Sequence, residues 1–85
     1  MIELKHCIQD KQGLHARPAS ALVEMAAQLT SSVVMVAGEK EVDCKKLIAM
    51  MRVGAKHGEE LLFQIDGGNE EADAEVVKEF LSANL

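Results

Sequence analysis

The sequence predicts a two-layer α/β (α+β) sandwich: one antiparallel sheet with helices packed on a single face, in the order β-α-β-β-α-β-α. Three observations carry this. Stretches near both ends alternate apolar and polar residues at period two, and a β-branched run between them leads into a hairpin turn signal. Other stretches place apolar residues at i, i+3 and i+4, the rhythm of a helix with one buried face. The chain has 85 residues, 48% of them hydrophobic, enough for one core but not for two. Residues 1–85 are therefore expected to form a single domain, and no repeat, linker or low-complexity stretch divides them. Hairpin-linked strands and inward-facing helices pack most economically as a sheet covered on one side. The other sheet face is left to water, with Glu3, Lys5, Gln64 and Asp66 at its alternate positions.

Taken in order, Ile2, Leu4, His6 and Ile8 alternate with Glu3, Lys5, Cys7 and Gln9 as a first strand. Asp10–Gly13 is a polar loop. A helix follows from about Ala16 to Gln28, with Pro18 in its first turn, where the missing N–H breaks no intrahelical bond. Ala19, Leu22, Val23, Ala26 and Leu29 form its buried face, and Thr30-Ser31-Ser32 ends it. Val33–Val36 is a second strand, Ala37-Gly38-Glu39 a hairpin turn, and Lys40–Val42 a short third strand. Asp43 to Val53 reads as helical, with Asp43 as N-cap and Gly54 just past the C-terminus. Leu47, Ile48, Met50, Met51 and Val53 are too many apolar residues for one face of so short a helix. Either some stay at the surface as a contact patch, to which adaptable methionines are suited, or loops cover them. Leu61, Phe63 and Ile65 mark a fourth strand after a polar connection at Ala55–Glu59, and Gly67-Gly68 breaks the chain again. Asn69 is expected to cap the last helix, with Glu70, Glu71 and Asp73 at the positive end of its dipole and Val76, Val77, Phe80 and Leu81 as its buried stripe.

The formal net charge of −5 argues against general nucleic-acid binding, and with Phe63 and Phe80 as the only aromatics there are no rings for base stacking. No apolar run is long enough to span a bilayer, and charges interrupt any leader-like pattern in Met1–Asp10, so a soluble cytoplasmic protein is expected. Cys7 and Cys44 match no metal spacing and are expected as free, packed thiols, although an oxidising setting would allow them to pair. No metal constellation and no phosphate-cradling glycine motif is present, and no cofactor is expected. Ser20 has no neighbouring base and reads as a helix-surface residue, while Asp10 and Glu24 show no acid–base spacing.

Three histidines remain. His6 shares a strand face with Ile2 and Leu4 and reads as a packed or edge side chain; His57 lies in a polar loop and reads as solvated. His15 alone combines a turn at Gly13, a helix start and a neighbouring Arg17. The N-terminus of a helix attracts anions through unpaired N–H groups and aligned peptide dipoles. The guanidinium of Arg17 adds a fork that fits phosphate oxygens. Both also favour the neutral, nucleophilic imidazole. A His beside an N-cap with an Arg nearby also arises without function, so local physics leaves a phosphate-linked role and a structural one both open.

The motif GLHARPAS at Gly13–Ser20, the segment KKLIAMMRVGAKHG, and the length and element order resemble the histidine-containing phosphocarrier (HPr) family of the bacterial phosphoenolpyruvate:sugar phosphotransferase system over essentially the whole chain. The resemblance implies an open-faced sandwich, strands in the order 1-4-2-3 under three helices. It implies a carrier and not an enzyme: Nδ1 of His15 takes a phosphoryl group from phosphorylated enzyme I and hands it to sugar-specific enzyme IIA domains. Arg17 and the backbone N–H groups of Ala16 and Arg17 would hold the phosphate. Leu47, Ile48 and Met51, beside Ala16, Ser20, Glu24 and Ala27, would form the surface that both partners use, on a monomer. Some relatives carry a regulatory Ser at the position matching Lys46; Lys46 has no hydroxyl, so that regulation is expected to be absent. Glu24, Ala27 and Ala49 stand where some relatives have basic residues, which bears on partner choice. A regulatory protein of the same fold, and a carrier in the nitrogen-related branch of the system, are the competing readings.

Overall fold

The computed structural model describes residues 1–85. It contains β1 (Ile2–Cys7), α1 (Ala16–Ala27), β2 (Ser32–Ala37), β3 (Lys40–Asp43), α2 (Leu47–Arg52), β4 (Glu60–Asp66) and α3 (Glu70–Asn84). The strands form one antiparallel sheet in the order β1-β4-β2-β3. The register explains the alternation seen in the sequence. Leu4, Phe63, Met35 and Val42 lie in one row across all four strands, and Phe63 and Met35 in that row are fully buried. The next row on the opposite face pairs Glu3 with Gln64, and the Gln64 amide donates to the Glu3 carboxylate at 3.2 Å. Period-two patterning therefore separates a packed face from a wet one, as the sequence predicts.

The helices close the packed face. Pro18, Ala19, Leu22 and Ala26 are the buried residues of α1, at helical spacing. From α3, Ala74, Val77 and Leu81 join them in the same core. Val76, expected in that stripe, is exposed instead. The reason lies in Asp73, a buried carboxylate whose oxygen accepts the Ser31 N–H at 3.0 Å. This bond rotates the Asp73–Val77–Leu81 line inward and leaves Val76 outside. Asn69 stands at the N-cap of α3, but its side chain does not cap the helix; it donates to Asp73 at 3.4 Å.

The largest departure is at α2. The helix starts at Leu47 with Lys46 as N-cap, not at Asp43, and spans six residues. Asp43 belongs to β3, and its side chain accepts the Lys45 N–H at 2.9 Å in an Asx turn. The same residue type that caps helices here builds the turn before one. Cys44 is fully buried and its N–H donates to Val33, which extends the sheet ladder past the expected helix start. Burial pushes the Cys44 thiol up to about 12. Cys7, expected to be packed, is exposed; both thiols are free. Gly54 follows α2 at φ +67°, the left-handed C-terminal position expected for it.

Candidate functional site

The geometry around His15 begins with Gly13, at φ +70°. A Cβ here would collide with the Ala55 carbonyl oxygen and lie 2.8 Å from Cα of Lys56, so only glycine allows the loop to lie against the segment after α2. The Leu14 N–H donates to the Ala55 carbonyl at 2.9 Å, and Leu14 is buried. With Leu14 anchored, His15 becomes the N-cap of α1 in an extended conformation, φ −92° and ψ −175°. Its carbonyl accepts the Ala19 N–H at 3.0 Å.

The helix end is left chemically open. The His15 side chain makes no capping bond, and the first turn carries no acidic residue. Pro18 has no N–H and that of Ala19 is used, so the Ala16 and Arg17 amides are the free donors of the first turn. Arg17 is exposed and forms no ion pair. His15 is partly open, its side chain 35% exposed. An N-cap imidazole, two unpaired amides and a dipole end without an acidic residue share accessible surface, and the exposed, unpaired Arg17 belongs to the same first turn. This arrangement can receive an anionic group covalently and hold its negative oxygens.

The sequence reading missed the partner of His15. Asp10 Oδ2 lies 3.5 Å from His15 Nε2. The other oxygen, Oδ1, accepts the Gln12 N–H at 2.9 Å, and the Asp10 carbonyl accepts that of Gly13 at 3.0 Å. The Asp10 N–H itself donates to the Leu85 carbonyl at 3.2 Å, tying the loop to the end of α3. The Asp10 carboxyl is held below the usual carboxylate range, first by the Gln12 N–H and then by His15, with a lesser electrostatic effect of His57. An Asx turn, in which the side chain at i meets the N–H at i+2, folds Asp10 back toward His15; that local signal was available in the sequence. His57, read as solvated, is exposed but flanks this loop.

The remaining expected site residues lie on α1 and α2, which pack against one another. Ala16, Glu24 and Ala27 are exposed on α1 and Ser20 is half-buried. On α2, Leu47, Ile48 and Met51 are 38%, 69% and 49% exposed while Met50 alone is fully buried. The alternative of a helix covered by loops is therefore set aside. Lys46 is exposed beside the patch, and Lys45 donates to the Leu29 carbonyl at 3.0 Å, bridging α2 to the end of α1. His6 is half-buried in β1 with its Nε2 unpartnered. No group of three or more His, Cys, Asp or Glu side chains gathers at metal-binding separation.

Comparison with known proteins identifies the family and the fold. The family model described as "PTS HPr component phosphorylation site" matches residues 2–83. The chain is 34% identical over 79 residues to a Mycoplasma capricolum phosphocarrier protein HPr, covering 93% of this chain and 89% of that one. A solved mycoplasma histidine-containing phosphocarrier protein superposes with a TM-score of 0.92 at 31% identity, over 99% of this chain and 98% of that one. The Bacillus subtilis catabolite repression protein Crh, solved as a dimer with a swapped domain, superposes with a TM-score of 0.75 at 27% identity, over 100% of this chain and 98% of that one.

Proposed function

The chain belongs to the HPr family of phosphotransferase-system components, and on that premise we propose that it is a phosphocarrier whose His15 is transiently phosphorylated. The Nδ1 lone pair attacks the phosphorus of a phosphorylated donor. The bond from phosphorus to the donor's leaving atom breaks, and that atom keeps the electron pair. The phosphoryl oxygens then face the Ala16 and Arg17 amides and the Arg17 guanidinium. Passing the group on is the same exchange in reverse toward the next acceptor. This is group transfer between proteins without a substrate pocket, and no cofactor takes part.

The observation that carries the reading is the open helix end: an N-cap histidine that does not cap, ahead of two free amides in a first turn that carries no acidic residue. The exposed Leu47, Ile48 and Met51, continuous with the face of α1, are the docking surface in this reading. Enzyme I is the donor and the enzyme IIA domains are the acceptors, met by a cytoplasmic monomer; no helix is long and apolar enough to cross a membrane. Lys46 lacks the hydroxyl that the corepressor form of regulation would need, which favours the carrier over a purely regulatory protein.

The test is incubation with phosphoenolpyruvate and enzyme I followed by intact-mass measurement. The wild type gains one phosphoryl group that is labile in acid and stable in base; His15→Ala gains none and Arg17→Ala gains it more slowly. Absence of uptake by the wild type, or an acid-stable phosphoester at another residue, would refute the assignment.

A further inference from the structure

We propose that Asp10 is a positioning residue for His15: one carboxylate oxygen builds the loop, and the other holds the ring proton on Nε2 so that Nδ1 is the free nucleophile. The inference rests on the phosphocarrier reading and adds to it the element that selects the reacting nitrogen.

The division of labour between the two oxygens is the central observation. Oδ1 is committed to the Gln12 N–H at 2.9 Å, and the Asp10 backbone is fixed on both sides, by Gly13 N–H at 3.0 Å and by its own N–H to Leu85 at 3.2 Å. Oδ2 is directed at His15 Nε2 at 3.5 Å and has no other hydrogen-bond or ion-pair partner within the chain except that ring. This is longer than a fully formed N–H···O bond, and such contacts shorten as charge develops on the ring. A carboxylate only accepts hydrogen bonds, while a neutral imidazole carries a single N–H. The pair therefore favours the tautomer with hydrogen on Nε2 and the lone pair on Nδ1. Because His15 makes no capping bond, nothing else competes for Nδ1.

The charge balance follows. When Nδ1 takes the phosphoryl group and the donor atom leaves with its electron pair, the ring keeps its Nε2–H and becomes formally cationic. Asp10 offsets that charge without taking the proton. On discharge the pair returns to Nδ1 and the ring is neutral again, with no proton having left the site. The other titratable group that influences Asp10 is His57, from the segment beneath Gly13. It makes no hydrogen bond or ion pair with Asp10 and is the natural control.

Asp10→Asn keeps an oxygen for the Gln12 N–H but turns an amide N–H₂ toward Nε2, which pushes the ring proton to Nδ1. Asp10→Ser keeps a hydroxyl acceptor for the turn and removes the carboxylate without adding a donor. Long-range proton–nitrogen correlation spectra of the His15 ring, at about pH 8 where histidine is ordinarily neutral, read the tautomer directly. The expected result is Nε2–H in the wild type, a shift toward Nδ1–H in Asp10→Asn, and an intermediate position in Asp10→Ser. Phosphorylation by phosphoenolpyruvate and enzyme I slows in the same order, by about 10- to 100-fold in Asp10→Asn, the usual scale for losing the partner of a working imidazole's second nitrogen. His57→Gln leaves the tautomer unchanged. An unchanged tautomer and unchanged rates in both Asp10 variants, or a tautomer change in His57→Gln alone, would overturn the proposal. If the wild type accepts no phosphoryl group, the carrier reading fails while the tautomer comparison still decides the role of Asp10.

Discussion

Gly13, His15 and Asp10 show how differently single residues announce themselves. Gly13 was legible because a turn before a helix needs positive φ, and the structure places it at +70°. What the sequence did not contain is the close approach of the Ala55–His57 backbone, since contact between distant segments leaves no local mark. The two constraints add, so Gly13→Ala should lose more stability than the about 1–3 kcal/mol of a strained left-handed position alone. Urea unfolding checks it; a variant as stable as the wild type would show that the loop can move away from Ala55. His15 was legible through its neighbours. Asp10 was overlooked, because pattern reading looks for regular spacings between acids and bases, whereas its mark, an Asp opening a polar loop, is that of an Asx turn, which brings position 10 to position 15 by folding the chain back. That this helix end would carry free N–H groups followed from its position, while the naming of the Ala16 and Arg17 amides came with the family resemblance.

At the scale of elements, strands and long helices followed their periodicities to within a residue or two, because the pattern states which face is buried. The short helix did not. With six residues, α2 is too brief for a period to be counted, and Asp43 has two competing uses, as cap and as Asx turn. The excess of apolar residues there was nonetheless informative: it marks a face that the fold leaves uncovered. Met51 sits on that face, half exposed, while the adjacent Met50 fills the core. Met51→Glu should therefore weaken association with enzyme I about tenfold or more, as loss of a central apolar contact does, and leave the melting temperature within about 2 °C, as expected of an exposed site. Titration calorimetry and thermal melts separate the two. A large fall in melting temperature would instead place Met51 in the core.

For the whole molecule, the order β1-β4-β2-β3 could not be deduced from strand periodicity, which fixes faces and not neighbours. Strand order depends on pairings between distant segments, and here it came with the family resemblance. One long-range tie helps hold the two layers in register: the buried bond from the Ser31 N–H, after α1, to Asp73 at the start of α3. Asp73→Ala leaves that N–H buried without an acceptor and should cost about 1–3 kcal/mol, seen as a lower urea midpoint with the phosphoryl-transfer rate of the folded fraction unchanged. The packed sheet and helices serve a small purpose in space: they hold one imidazole at a helix end whose first turn carries no acidic residue. The most direct test of that claim is nitrogen-15 and phosphorus-31 spectroscopy of the protein charged by enzyme I and phosphoenolpyruvate. The account predicts a single phosphoramidate signal coupled to Nδ1 of His15; a phosphoryl group on Nε2, on His6 or His57, or on a hydroxyl would contradict it.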